Sequence, residues 1–169
     1  RYDSTAHYLS ENIRIAQLKN DADKLDMARL KLAYLFASSG MYLEAVNLID
    51  AVHPRAGNKT LMIEYYKTCY HTYGEQGHYS RDAASHDYYS TLADQYKQKL
   101  LDSLPTQSML RLNILESEAK YNKNYKEALR YNTMQMNAID KNSPDYSIIC
   151  FFRSEIYKNM NDIEMEKYW

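Results

Sequence analysis

One short arrangement of residues recurs along the chain, and it constrains the fold more than any other feature. In LAYLFASSGMYLEAVNLID, residues 32–50, Gly40 separates two apolar runs, and Tyr42 and Ala45 open the second run. Similar steps follow at intervals of roughly 37 to 46 residues, at Gly77 and Tyr79, at Tyr125 and Ala128, and at Asn161 and Ile163. Repetition on this scale is typical of stacked helix pairs.

The spacing within each unit agrees with the tetratricopeptide pattern, in which small residues let two antiparallel helices approach. In the first unit Ala33 and Ala45 are the small residues, Phe36 fills the space beside them, and Gly40 supplies the positive φ that ends a helix. The packing residues predicted in the later units are Tyr73, Gly77, Tyr79, Ala119, Tyr125, Ala128 and Tyr157.

The chain is therefore predicted to be all-α, a tetratricopeptide-like right-handed superhelix of antiparallel helix pairs, or α-solenoid. One domain is expected over residues 1–169. Its predicted segments are the last helix of a preceding repeat at 1–20, repeat 1 at 22–53, repeat 2 at 60–104 with a long second helix from about residue 79, repeat 3 at 106–140, and a truncated repeat 4 at 144–169. An ordinary helical bundle with aromatic core stripes is the alternative.

Composition limits the classes of function. Lys and Arg number 21 against 22 Asp and Glu, and no strongly basic block is present, so no nucleic-acid surface is indicated. The longest apolar runs are far shorter than the ~20 residues of a membrane helix. Cys69 and Cys150 lie in apolar surroundings and are expected to be buried small residues, with a pair or a reactive thiol as the alternative.

Catalytic and cofactor-binding patterns are absent from the sequence. GxGxxG, GxxxxGK, GxSxG and HExxH do not occur, and the carboxylates are spread over helix surfaces. No catalytic residue and no cofactor is therefore predicted. His71, His78 and His86 do not form an i, i+4 pair on one helical face, so no metal site is predicted either.

The succession YDSTAHYLSENIRIAQ, RLKLAYLFASSGMYLEAVNLID, EYYKTCYHTYGE and SEIYKNMNDIEMEKYW resembles the N-terminal repeat region of membrane-anchored transcriptional regulators of Bacteroides-type bacteria. In that family an exported repeat region is followed by a membrane helix, a coiled coil and a cytoplasmic helix-turn-helix segment of LuxR-like type. The resemblance implies a periplasmic sensory or interaction region and brings no catalytic residues with it. From its charge and its short apolar runs, this part of the chain is expected to bind neither nucleic acid nor membrane. A cytoplasmic scaffold or adaptor is the alternative, and an enzyme or small-molecule-binding bundle is a third.

The partner is expected to be a protein, a peptide or a saccharide-related signal, held on the concave wall formed by first-helix side chains. The predicted groove residues are Tyr34, Ser38, Lys67, His71, Asn113, Ser117, Lys120, Tyr121, Glu155 and Lys158. His71 and Ile114 stand where a clamp for a peptide carboxylate would place an Asn and a cation. Such a clamp is therefore not predicted.

Tyrosine is unusually abundant, with 18 residues, and several are crowded between residues 65 and 96. Most are expected to pack between helices, because a tyrosine can bury its ring and keep its hydroxyl wet. A second candidate surface is an aromatic patch of Tyr70, Tyr88 and Tyr89. Self-association through exposed apolar faces is a further expectation.

Overall fold

The computed structural model describes residues 2–55 and 57–169, and the regular elements in these residues are helices. They form two compact units that divide after Ser103. The first unit contains α1 (Tyr2–Leu18), α2 (Ala22–Ala37), α3 (Tyr42–Asp50), α4 (Lys59–Tyr79) and α5 (Ala83–Ser103). The second contains α6 (Met109–Tyr121), α7 (Tyr125–Ala138), α8 (Pro144–Asn159) and α9 (Ile163–Tyr168). The prediction of an all-α chain is confirmed for these residues.

Small residues from three helices lie at the centre of the first unit. The fully buried residues of this cluster are Ala33 and Ala37 of α2, Ala45 and Ile49 of α3, and Cys69 of α4. Partly buried larger side chains pack against them, among them Phe36, Tyr65, Tyr73 and Tyr96. The small side chains let the helices approach closely, and the rings fill the space that remains.

Four of the helix-to-helix turns share one backbone geometry. Each has a single residue with positive φ: Asn20 (51°), Gly40 (79°), Lys123 (57°) and Asn161 (57°). In the turn after α2, Met41 N donates to Phe36 O at 2.9 Å and Gly40 N donates to Ala37 O at 3.0 Å. This is the Schellman motif, and it recurs at the other three turns. The repeated element is thus a left-handed residue, which glycine supplies only once.

The sequence-based placement of the second turn at Gly77 is wrong. Gly77 lies inside α4, and α5 begins at Ala83 rather than near residue 79. A Cβ on Gly77 would come within 3.0 Å of Ser90 Oγ and 3.2 Å of Ser90 N. The glycine therefore permits close approach of α4 and α5. Tyr79, predicted to pack, is the last residue of α4 and is 64% exposed.

The helices pair along the chain as α2 with α3, α4 with α5, α6 with α7, and α8 with α9. They fall within the predicted segments, except that α4 begins one residue earlier, at Lys59. The chain divides into two compact units after Ser103, and one domain over residues 1–169 stays a prediction. Helix α5 ends at Ser103 because the next residue, Leu104, precedes Pro105, and a residue before proline is disfavoured in the helical conformation.

The second unit has a small apolar core of its own. Ala119 of α6, Ala128 of α7 and Ile156 of α8 are buried together, with Tyr125 packed against them. Tyr157 is half-buried, and the Arg153 guanidinium carbon lies 5.9 Å from its ring centroid. Ala119 and Ala128 are again small residues between two antiparallel helices, as in the first unit.

Candidate functional site

Four of the predicted groove residues come together on the first unit, where α2 lies beside α4. The rings of Tyr34 and His71 stack with centroids 4.0 Å apart and planes inclined by 19°. Ser38 Oγ, one turn after Tyr34, lies 2.9 Å from His71 Nε2. Lys67 Nζ lies 5.4 Å from the Tyr34 ring centroid. These four residues are named the α2–α4 surface.

Hydrogen bonding determines which ring nitrogen of His71 carries the proton. Ser38 Oγ donates its one hydrogen to Tyr34 O at 2.9 Å, so it can only accept from His71. His71 Nε2 therefore donates to Ser38 Oγ, and in the neutral ring Nδ1 is left as an acceptor. Burial lowers the pKa of His71 below its ordinary value of 6.5; the ammonium of Lys67 lowers it further, and the carboxylate of Glu75 opposes both. The neutral, acceptor-bearing ring is thus favoured.

The cation of this surface is held in place by a neighbouring carboxylate. Lys67 Nζ donates to Glu64 Oε2 at 2.8 Å, one turn earlier on α4. The charge of Lys67 is therefore largely balanced before any partner arrives. Together the α2–α4 surface offers the partly exposed Tyr34 side chain, an ion-paired ammonium and one histidine acceptor. Such a set provides stacking area and directional hydrogen bonds, which are the contacts of a recognition surface.

The groove residues predicted in the second unit are less closely associated. Lys120 Nζ lies 3.4 Å from Glu116 Oε1 and 4.5 Å from the Phe152 ring centroid. Of the remaining positions, Asn113, Ser117 and Lys158 are exposed, Tyr121 is 88% exposed and Glu155 is half-buried. Ile114 is buried, so the place considered for a clamp cation faces the core and not the surface.

A buried polar network in the second unit was missed by the sequence reasoning. Glu116 of α6 is 2% exposed, and its Oε2 accepts from Gln135 Nε2 at 2.6 Å and from Asn132 Nδ2 at 3.3 Å. Arg153 of α8 donates to Asn132 Oδ1 at 3.2 Å. A signal was present in α7, because Ala128, Asn132 and Gln135 share one face at helical spacing. Polar residues on the face of a core alanine indicate a buried network.

The comparison with protein families decides the classification. The family model of the SusR N-terminal TPR domain, where TPR denotes the tetratricopeptide repeat, matches residues 1–169. The chain belongs to this family. Neither a curated protein nor a solved structure matches the chain. The family match confirms the tetratricopeptide-like fold of packed helix pairs and the resemblance on which the sequence reasoning relied. TPR domains generally act in protein–protein interaction and are generally non-catalytic.

Neither a membrane-spanning helix nor a metal-binding cluster is found in the described part of this SusR-type TPR domain. None of its helices within residues 2–55 and 57–169 combines the length and the apolarity needed to cross a membrane. In that same part of the chain no cluster of His, Cys, Asp and Glu is placed to hold a metal ion. His78 packs edge-on against Tyr79 with centroids 4.8 Å apart, and the ring nitrogen His86 Nδ1 donates to Gly77 O at 2.9 Å.

The aromatic patch predicted for this TPR domain is divided between packing and exposure. Tyr89 of α5 stacks on Tyr73 of α4, with centroids 6.4 Å apart and planes 8° from parallel. Tyr88 is 60% exposed and contacts Tyr89 edge-on at 5.1 Å. Tyr70 of α4 is half-buried. Tyr89 thus joins the two long helices, and Tyr88 is the member of the three most open to a partner.

Both cysteines of the TPR domain are free thiols. Cys69 is fully buried in the core of the first unit, and burial raises its pKa to about 12. A thiol held neutral in this way is a poor nucleophile. Cys150 of α8 is half-buried. Cys69 therefore acts as a small core residue beside Ala33 and Ala45.

Proposed function

We propose that this chain is the periplasmic sensor region of a membrane-anchored transcriptional regulator, and that it binds a protein or peptide through the α2–α4 surface. The observation that carries the binding proposal is the cluster of Tyr34, Ser38, Lys67 and His71. An exposed ring, an ammonium and a histidine lie within one contact network there. The interaction role of TPR domains supports this choice over catalysis.

The chemistry of this surface limits what the partner presents. At neutral pH His71 Nδ1 accepts a hydrogen bond, so the partner offers an N–H or O–H group at that point. The Tyr34 ring favours a flat or apolar group, since aromatic faces contribute contact area at low entropic cost. Because Lys67 is already paired with Glu64, it contributes a directional hydrogen-bond donor to the partner more than it contributes net charge. A backbone amide next to an aromatic or apolar side chain satisfies these requirements.

Site-specific crosslinking in cells tests the binding surface. A photo-reactive amino acid replaces Lys67 in the full-length parent protein, and a matched variant carries it at Lys126, an exposed residue of α7. We expect a discrete crosslinked protein at position 67 alone, and we expect it to disappear when His71→Ala is added. Equal crosslinking at both positions, or persistence in the His71→Ala background, would count against this surface.

Cellular location is tested separately from binding. We expect alkaline phosphatase fused after Trp169 of the parent protein to be active, because that enzyme folds only in an oxidising compartment such as the periplasm. A green fluorescent protein fused at the same point should stay dark. The reverse result would favour the alternative function, a cytoplasmic tetratricopeptide scaffold or adaptor. The α2–α4 surface would then keep its binding role in another compartment.

Self-association is a second candidate, favoured by an apolar face on the second unit. Ile148 and Phe151 of α8 lie one turn apart and are 52% and 58% exposed. Adjacent exposed apolar side chains of this size mark interaction surfaces. We expect light scattering at high protein concentration to show a dimer that Phe151→Glu dissociates. A strictly monomeric profile would remove this candidate.

A further inference from the structure

A groove between α1 and α2 forms a second concave feature of the first unit, away from the residues of the α2–α4 surface. It encloses about 350 Å³ and is lined by one face of each helix. Its apolar lining consists of Leu9, Ile15, Ala16, Met27 and Ala28. Ala16 and Ala28 are buried and small, so they form a floor that another helix or a large side chain can approach closely.

The charged lining of the groove is predominantly basic. It comprises Lys19, Lys24, Lys31 and a single carboxylate, Asp21. Asp21 pairs with Lys24 at 2.9 Å and also interacts electrostatically with Lys19, whereas Lys31 has no ion-pair partner within residues 2–55 and 57–169. Because the pair of Asp21 and Lys24 is largely exposed, it stabilises little and can be replaced at low cost. The groove thus combines an apolar floor with excess positive charge.

The spacing of the lysines specifies the shape of an occupant. Lys24 and Lys31 are seven residues apart on α2, which is two turns, or about 10 Å along the helix axis. Met27 and Ala28 lie between them on the same face. A partner helix with carboxylates at positions i and i+7 and apolar side chains at i+3 and i+4 has the complementary pattern.

We propose that the α1–α2 groove binds an acidic amphipathic helix of a partner protein. Its apolar stripe packs on Ala16, Met27 and Ala28, and its carboxylates face Lys24 and Lys31. Charge complementarity selects this occupant over a neutral or basic helix. The site shares no residue with the α2–α4 surface, so this inference does not rest on the function proposed above.

A designed peptide tests the site on the full-length protein. The probe is acetyl-EAQLLQAEAQLLQAE-amide, labelled for fluorescence polarisation, and the control is the same peptide with every Glu replaced by Lys. We expect the acidic peptide to bind and the lysine peptide to bind at least tenfold more weakly. High salt should weaken binding of the acidic peptide, because dissolved ions screen attraction between exposed charges. Methyl NMR signals of Ala16 and Ala28 should shift during the titration.

Two protein variants locate the contact. Lys31→Glu should weaken binding of the acidic peptide about tenfold, since it reverses one charge opposite a carboxylate. The matched control Lys126→Glu, at an exposed residue of α7, should leave the affinity unchanged, and so should His71→Ala on the α2–α4 surface. Equal weakening by Lys31→Glu and Lys126→Glu would overturn the proposal, as would equal affinity for the lysine peptide. The proposal would also be overturned if the Ala16 and Ala28 signals of the full-length protein did not shift when the acidic peptide is added. That result would mean that a segment of the protein itself fills the groove.

Discussion

Ala45 shows how far single residues can be predicted from the repeat pattern. The pattern placed a small residue there, and the side chain is fully buried beside Ala33 and Cys69. We expect Ala45→Leu to lower the free energy of unfolding by about 1–3 kcal/mol, because extra methyl groups in a packed core force neighbouring side chains apart. Urea denaturation measures the loss. The control Leu43→Ala, at a side chain that is 72% exposed, should change the free energy of unfolding by less than about 0.5 kcal/mol.

His71 shows what the pattern leaves undetermined. The repeat register predicted that His71 faces the groove, but its stacking on Tyr34 and its bond with Ser38 depend on the rotation of α4 relative to α2. That rotation is set by the packing of many side chains, including Cys69 and Ala33. Sequence spacing therefore identified the members of the α2–α4 surface, and only the structure gives their mutual contacts.

The burial of His71 makes stability depend on pH in a defined direction. Its pKa is lowered in the folded chain, so the unfolded chain binds the proton more readily below the ordinary value of 6.5. The stabilising contribution is present above that pH and is lost as the pH falls through the lowered folded value. The Ser38 bond persists in either state, because Nε2 donates in both.

We expect thermal unfolding of the wild-type chain to lose stability from pH ~7.5 to ~5 more steeply than that of His71→Gln, which has no such group. A ring titration of His71 by NMR gives the pKa directly. Parallel pH profiles of the two proteins, or a His71 pKa above the ordinary value, would show that burial does not control this ring.

At the scale of the element, the recurring turn is a backbone motif with variable residues. Glycine at position 40 was a correct sign of a left-handed residue, but Lys123 and Asn161 occupy the same conformation without being glycine. Gly77 was misleading, since its missing Cβ serves the contact with Ser90 inside a helix pair. A glycine in a sequence can therefore mark either a turn residue with positive φ or a close contact between two helices. Which of the two applies depends on the neighbouring helix.

The start of α3 is the one place in this turn series where a side-chain cap is lacking. Asp21, Asn124 and Asp162 each accept a backbone hydrogen bond from the helix that follows, whereas the N-cap of α3 is Met41. We expect Met41→Asn to raise the free energy of unfolding by about 0.5–1 kcal/mol. The asparagine side-chain oxygen would accept a hydrogen bond from a backbone N–H group in the first turn of α3, which no side chain caps. Chemical denaturation measures the increase. The converse change, Asn124→Ala, should lower stability by a similar amount; a loss of stability in Met41→Asn would contradict the cap geometry.

At the scale of the whole molecule, the two units differ in the chemistry of their cores. The first unit is centred on alanines, Cys69 and tyrosine rings, which the repeat pattern anticipates. The second unit buries Glu116 with Asn132 and Gln135 beside its apolar cluster. The helix pairs could be predicted because their spacing is periodic. The division after Ser103 and the polar network could not, because both depend on contacts between residues far apart in the chain.

The polar network makes Glu116 the most sensitive residue of the second unit. Glu116→Leu removes the acceptor of Gln135 Nε2 and one acceptor of Asn132 Nδ2, and leaves Lys120 without its carboxylate. A buried donor without a partner costs roughly 1–3 kcal/mol, so a loss of about 2 kcal/mol is expected even though leucine adds apolar contacts. Hydrogen exchange locates the effect: amides of α6 and α7 should lose protection, with those of α4 as an internal reference. Glu116→Gln, which retains one carbonyl oxygen for Gln135, should lose less. Equal loss of protection in α4 and α7, or a leucine variant as stable as wild type, would mean that the network contributes no net stability to this unit.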